Sequence, residues 1–203
     1  MKKMSFRKLL LIGSLMGLTV SPVLADDNGW FVGVEGGAGK VFAGDAVDGT
    51  SIDFGIKAGY YLNANSRAYV AYNRNSNAET TYATSYNSNN GITTTWSSTT
   101  SVDVLGAGYD VLLGQSSLKL VAGGQVGLGM VTFEEEISNS AGASIAVSDS
   151  KIGLNLGLKV GGLYDITENH KVELGLKAAL TTVTVDDSYT KHIGIYAGYS
   201  YKF

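Results

Sequence analysis

The last eleven residues, Ile193-Gly194-Ile195-Tyr196-Ala197-Gly198-Tyr199-Ser200-Tyr201-Lys202-Phe203, alternate with a period of two. Ile193, Ile195, Ala197, Tyr199, Tyr201 and Phe203 fall on one face of a strand. Gly194, Gly198, Ser200 and Lys202 fall on the other, where Tyr196 is the only large ring. A strand with so apolar a face has to cover it, either with a protein core or with lipid.

The opposite terminus favours lipid. Lys2, Lys3, Arg7 and Lys8 precede an apolar run from Leu9 to about Val20, and Val23-Leu24-Ala25 offers a small-residue cleavage site before Asp26-Asp27. Residues 1–25 therefore read as a cleavable export signal and 26–203 as one β-barrel domain. The signal's apolar run is too short for a spanning helix, and nothing downstream holds about 18 consecutive apolar residues, so helical membrane proteins are excluded.

Export removes four bases and no acids, leaving 11 basic residues against 18 acidic ones, formally −7. That balance argues against nucleic acid as a partner, because phosphate binding depends on clustered Lys and Arg. The absence of cysteine removes disulfides and thiolate chemistry, and no cofactor or metal is expected. A content of 27 Gly with one Pro favours many closely packed, tightly turning strands.

Eight segments alternate with period two, at roughly 30–42, 50–61, 66–76, 101–112, 117–133, 151–164, 170–184 and 192–203. Each is near or above the roughly 9–11 residues that a tilted transmembrane strand needs. The second, fourth and sixth connections are short, and the others are longer and polar. Short turns at one end and long loops at the other are the pattern of an eight-stranded antiparallel up-and-down barrel in an outer membrane. Ile152, Leu154, Leu156, Leu158 and Val160 alternate with Gly153, Asn155, Gly157, Lys159 and Gly161, which puts apolar residues outward and small or charged ones inward. A soluble barrel would invert this, and alternation alone cannot separate the two. The export signal, the terminal Phe and the loop asymmetry decide for the membrane. Trp30, Tyr60, Tyr109, Tyr164, Tyr199, Tyr201 and Phe203 all fall at the short-turn end, as an interfacial aromatic girdle requires.

Signal, eight strands, loop order and the Tyr-Lys-Phe ending together resemble the small bacterial outer-membrane β-barrel proteins of the OmpA transmembrane-domain, OmpX and opacity type. The resemblance covers essentially the whole chain after the signal and carries no catalytic motif. It implies residence in the bacterial outer membrane, with Tyr199, Tyr201 and Phe203 as the signal read by the outer-membrane assembly machinery. It also implies lipid and lipopolysaccharide as surroundings, a monomeric barrel, and a possible host or cell-surface ligand.

Inward positions include Glu35, Asp53, Asp110 and Glu173 against Lys57, Arg67, Lys119, Lys159, Lys177 and Lys202. In a lumen as narrow as eight strands allow, these charges are expected to pair, Glu35 with Lys57 and Lys159 with Glu173, leaving no wide channel. The third connection, Asn75 to Ser101, holds two strand-forming runs around Asn89-Asn90-Gly91, a hairpin-turn signal. A hairpin projecting beyond the membrane and carrying Tyr82, Tyr86 and Trp96 would offer a surface for adhesion.

Three further motifs are weak. Glu134-Glu135-Glu136 and Asp186-Asp187 fall at expected outer loop bases, where solvated charge explains them better than a divalent cation does. His192 near Asp186, Asp187 and Ser188 would permit a Ser/His/Asp arrangement on the outer loops, but no lipase or omptin motif accompanies it. Gly36-Gly37-Ala38-Gly39-Lys40 mimics a phosphate loop, yet Val34 and Val41 occupy the positions that need Gly and Ser or Thr. The sequence thus reads as a non-enzymatic surface barrel, with a narrow pore or a lipid-modifying enzyme as alternatives.

Overall fold

The structure, a computed structural model, describes residues 28–43, 47–77, 80–88, 91–114, 116–185 and 188–203. The export signal and Asp186-Asp187 lie outside them. Nine strands follow in chain order: β1 (Gly29–Ala43), β2 (Val47–Asn63), β3 (Ser66–Asn77), β4 (Thr80–Asn87), β5 (Ile92–Leu113), β6 (Leu118–Asn139), β7 (Ser144–Asp165), β8 (His170–Val185) and β9 (Ser188–Lys202). Each pairs antiparallel with its neighbours in the order β3-β2-β1-β9-β8-β7-β6-β5-β4. A further pairing of β3 with β5 closes the ring, so eight strands make a barrel and β4 is extra.

The extra strand comes from the third connection. β3 pairs with β5 up to Ser76 opposite Ser101, and β4 takes over at Thr80 opposite Ser98, so the two follow one another along the same partner. The hairpin expected around Asn89-Asn90-Gly91 is thus formed by β4 and β5, with Gly91 at φ 68° in its turn.

The fifth connection corrects the sequence reading. Residues 134–138 and 144–150 are strand, not loop: β6 and β7 pair continuously up to Ser138 opposite Ser144, leaving only a tight turn between them. Glu134-Glu135-Glu136 therefore lies within a strand, opposite Ser148, Val147 and Ala146. Ile137 faces Ile145 in register, and that apolar pair anchors the extension. The turn is fixed by Asn139, whose Oδ1 accepts the backbone N–H groups of Ala141 and Ala143 at 3.1 and 3.0 Å, and by Gly142 at φ 89°.

Side-chain exposure settles which way the barrel faces. Arg67 and Asp110 are wholly buried in the lumen, whereas Ile152 and Leu158 on the outer wall are 73% and 64% exposed. A barrel evolved for water would show the reverse. The lumen is also more apolar than the alternation implied. Phe31, Tyr61, Leu112, Val121 and Leu163 form a buried cluster at the short-turn end, and Val102, Val104, Val131 and Val183 form another toward the loop end, with Phe133 packed against it.

Candidate functional site

The lumen is organised around Arg67, which β3 aims inward just above the aromatic cluster. Its Nε donates to Asp110 Oδ2 at 2.8 Å, Nη1 donates to Tyr61 Oη at 3.2 Å, and Nη2 donates to Glu173 Oε2. The guanidinium also lies 5.3 Å from the Phe31 ring centroid, a cation–π contact. From there a chain of ion pairs climbs the lumen. Lys159 meets Asp110 at 2.9 Å and Glu173 at 3.1 Å. Lys57 lies 3.3 Å from Glu173 and 3.4 Å from Glu35, and Lys177 lies 3.4 Å from Glu35 and 3.5 Å from Asp53.

This network joins Arg67, Lys57, Lys159 and Lys177 to Asp110, Glu173, Glu35 and Asp53, four charges of each sign. Neutral sums matter here, because an unpaired ion in a buried site costs several kcal/mol. Tyr196, buried from β9, completes the set by donating to Glu173 Oε1 at 2.7 Å. Lys119 pairs with Asp165 at 3.6 Å, and Lys202 lies over the Tyr61 ring at 5.6 Å, both at the short-turn end.

Above the network a cavity of about 80 Å³ opens toward the loop end, bordered by Asn73, Gln125, Asn155 and Thr181. It is room for a few waters. Below, Phe31, Tyr61, Leu112 and Leu163 pack as a buried, mainly apolar cluster.

His192 is not on the outer loops. It points into the lumen, with Nε2 3.2 Å from Ser51 Oγ and 3.1 Å from Asp53 Oδ2. Ser51 and Asp53 thus share one ring nitrogen, whereas a catalytic triad needs its acid on Nδ1 and its nucleophile on Nε2. The Gly36–Lys40 segment is plain β1 strand. Its Gly39 serves contact, since a Cβ there would sit 2.5 Å from His192 Nε2 and from the Ile193 carbonyl.

At the loop end β4, β5, β6 and β7 extend as a four-stranded sheet. Register puts Ala83, Trp96, Ile137 and Ile145 in one row on the face that continues the lumen wall. Tyr86 opposes Thr93 and so lies on the other face, 66% exposed. The surface residues expected to act together are therefore divided: Trp96 looks over the mouth and Tyr86 looks away. Tyr82 falls at the register shift between Thr81 and Ala83, and its side chain lies outside the described residues. Sequence reasoning missed Ile137, Ile145 and Val147, although their alternation with polar neighbours was the available signal. β7 pairs with β8 only from Asn155 onward, so among the described residues Ser144–Gly153 has one edge without a strand partner.

No protein-family profile and no curated protein sequence matches the chain. Its architecture does match solved structures. Neisserial surface protein A aligns at a TM-score of 0.56 with 18% identity over 86% of this chain and 97% of that one. Ail, the attachment invasion locus protein of Yersinia pestis, in complex with the heparin analogue sucrose octasulfate, aligns at 0.51 with 16% identity over 86% and 99%. The Escherichia coli outer membrane protease OmpT aligns at 0.52 with 10% identity over 91% and 99%. The chain has the fold of the small outer-membrane barrels. In that membrane the short turns of the barrel face the periplasm and the long hairpins face outward. Trp30, Tyr164, Tyr199 and Phe203 are exposed on its outer wall at the periplasmic end, where Trp30 and Tyr60 stack edge-on at 5.3 Å. The last strand is stitched to the first by the Phe203 N–H, which donates to the Trp30 carbonyl at 2.9 Å.

Proposed function

We propose that this barrel is a surface-interaction protein that works through the outer sheet of β4–β7 and has no catalytic role. The observation carrying this reading is the length of β5, β6 and β7, 22 residues each, roughly twice what a membrane crossing needs. The excess is ordered sheet bearing the half-buried Trp96 and the exposed Ile137, Ile145 and Val147, and exposed apolar groups on an ordered extracellular surface are what a partner covers. The likeness to Ail and Neisserial surface protein A supports the fold that such a role would use and goes no further. A pore is less well supported, because a buried apolar cluster of Phe31, Tyr61, Leu112, Val121 and Leu163 lies in the lumen at the periplasmic end.

The test is to replace residues 77–99 by a tight turn and to compare adhesion of cells carrying either protein to host cells and to extracellular matrix. Loss of attachment with the barrel intact is the expected result. If every surface phenotype survives, the interaction reading fails.

A further inference from the structure

The ion network is neutral as a sum but not in the face it turns to the cavity above it. Among the described residues, the lining of that cavity carries Lys57, Lys159, Lys177 and His192 but only one carboxylate, Glu35. The acids that balance the lysines lie behind them. The side chains of Asp110, Asp53 and Glu173 are 0%, 1% and 3% exposed, against 11% for Lys159 and 16% for Lys177. A hollow lined mainly by one sign of charge inside low-dielectric walls concentrates ions of the other sign.

The pairing is also uneven. Lys159 lies 2.9 Å from Asp110, the length of a strong charge-assisted hydrogen bond. Lys57 meets its two carboxylates at 3.3 and 3.4 Å, and Lys177 meets its two at 3.4 and 3.5 Å, all beyond that length. An ammonium has three N–H donors, so each of these lysines can serve one more acceptor.

A glycine keeps the hollow open. Gly157 lies in register between Gln125 and Ala179 and borders the cavity with Gln125, Asn73 and Asn155. A Cβ at Gly157 would meet nothing closer than 3.7 Å, whereas at Gly127 and Gly161, also on the lumenal surface, it would fall 2.4 Å from a carbonyl oxygen. Close packing thus demands glycine at 127 and 161 but not at 157, where the missing side chain preserves space. At roughly 30 Å³ per water, the cavity of about 80 Å³ takes two or three waters or one compact ion, and is too small for a sugar ring.

We propose that this cavity binds one small oxyanion of phosphate or sulfate size, held by Lys177, Lys159 and Lys57 against the amide wall of Asn73, Gln125 and Asn155. A cation would reach Glu35 only by passing between Lys57 and Lys177, which both contact it.

The test titrates inorganic phosphate, and separately sulfate, into the barrel refolded in amine-oxide micelles, which contain no phosphate, with sodium chloride holding the ionic strength. Calorimetry should show saturable binding with a dissociation constant near or below about 1 mM. In two-dimensional NMR spectra the amides of Gln125, Gly157 and Lys177 should shift with the same saturation. Lys177→Gln removes charge and Gly157→Leu fills the space, and each should weaken binding at least about tenfold. Lys119→Gln, at the periplasmic end beside Asp165, should bind like the parent. Different mobilities of unboiled and boiled samples identify the folded variants, and Gly157→Val stands in for either variant that does not fold. Absence of saturable binding by both anions overturns the proposal. So does undiminished binding by Gly157→Leu, which would place the anion outside the lumen, or an equal loss in Lys119→Gln, which would reduce the effect to general attraction by the barrel's bases. Glycerol shifting the same amides at the same concentration as phosphate would also overturn it, by making the cavity a site for neutral polar solutes.

Discussion

Arg67 is the residue on which the lumen depends most. It has no exposure and satisfies Asp110, Glu173 and Tyr61 at once, so its removal strands carboxylates where water cannot reach them. Arg67→Met should destabilise the barrel by about 3 kcal/mol, the lower end of the range for breaking a buried pair, because Lys159 still serves both acids. Denaturant midpoints in lipid vesicles would measure it, and an unchanged midpoint would show that the network is ornamental to folding. Phe203 has a different weight. Its ring is exposed at the interface and its backbone supplies one hydrogen bond to Trp30, so deleting it should leave refolding in detergent near normal while lowering the amount assembled in cells. Quantifying the barrel in outer-membrane fractions checks the second half of that statement.

The strands show what could be read from sequence and what could not. Periplasmic ends were legible because short turns and aromatics mark them. The outer hairpin of β4 and β5 was legible from its strand-forming runs and Asn-Gly turn, but the extension of β6 and β7 was not, because Glu134 to Glu136 are polar on both faces and carry no alternation, yet pair because β6 and β7 hold them in register. The inward charges were legible from alternation, but Phe31, Leu112 and Leu163 were not, since at Trp30-Phe31 and at Leu163-Tyr164 both faces are apolar. That doubling at successive strand ends was the overlooked sign of a lumen plug. The division of the outer sheet into two faces also yields a prediction. If partners bind over the mouth, Trp96→Ala with Ile137→Ser should reduce cell attachment at least about tenfold while Tyr86→Ala leaves it unchanged. Attachment assays on whole cells would report the difference, and the opposite ranking would move the binding face to the outside of the sheet.

As a whole molecule the barrel is a closed sheet whose lumenal charges are paired with one another, with Asp110 Oδ1 left without a hydrogen-bond partner among the described residues, and whose outer wall is largely apolar. Within the membrane such a structure has no edge at which detergent can begin to unfold it. Unboiled and boiled samples should therefore migrate differently in detergent gels, and identical mobility with a helical circular dichroism spectrum would overturn the fold. In planar bilayers no large stable unitary current is expected, since the buried cluster of Phe31, Tyr61, Leu112 and Leu163 and the paired charges above it occupy the lumen. Replacing Phe31 and Leu163 together by Ala should open small, cation- or anion-biased currents if the plug is what stops conduction.

The seam between β1 and β9 has a kinetic meaning. Every other pair in the barrel except β3 with β5 joins strands that are neighbours in sequence, and such hairpins form locally and fast. Phe31 and Lys202, in contrast, meet from opposite ends of the chain, so their encounter carries the largest loop-closure entropy in the molecule. In the closed seam Gly37, Gly39 and Gly194 let the two strands approach, since a Cβ at each would sit within 2.7 Å of a carbonyl oxygen of the facing strand. Pulsed hydrogen exchange during refolding in lipid should find the β6–β7 amides protected early and those along β1 and β9 last, with Gly194→Val delaying only the final phase.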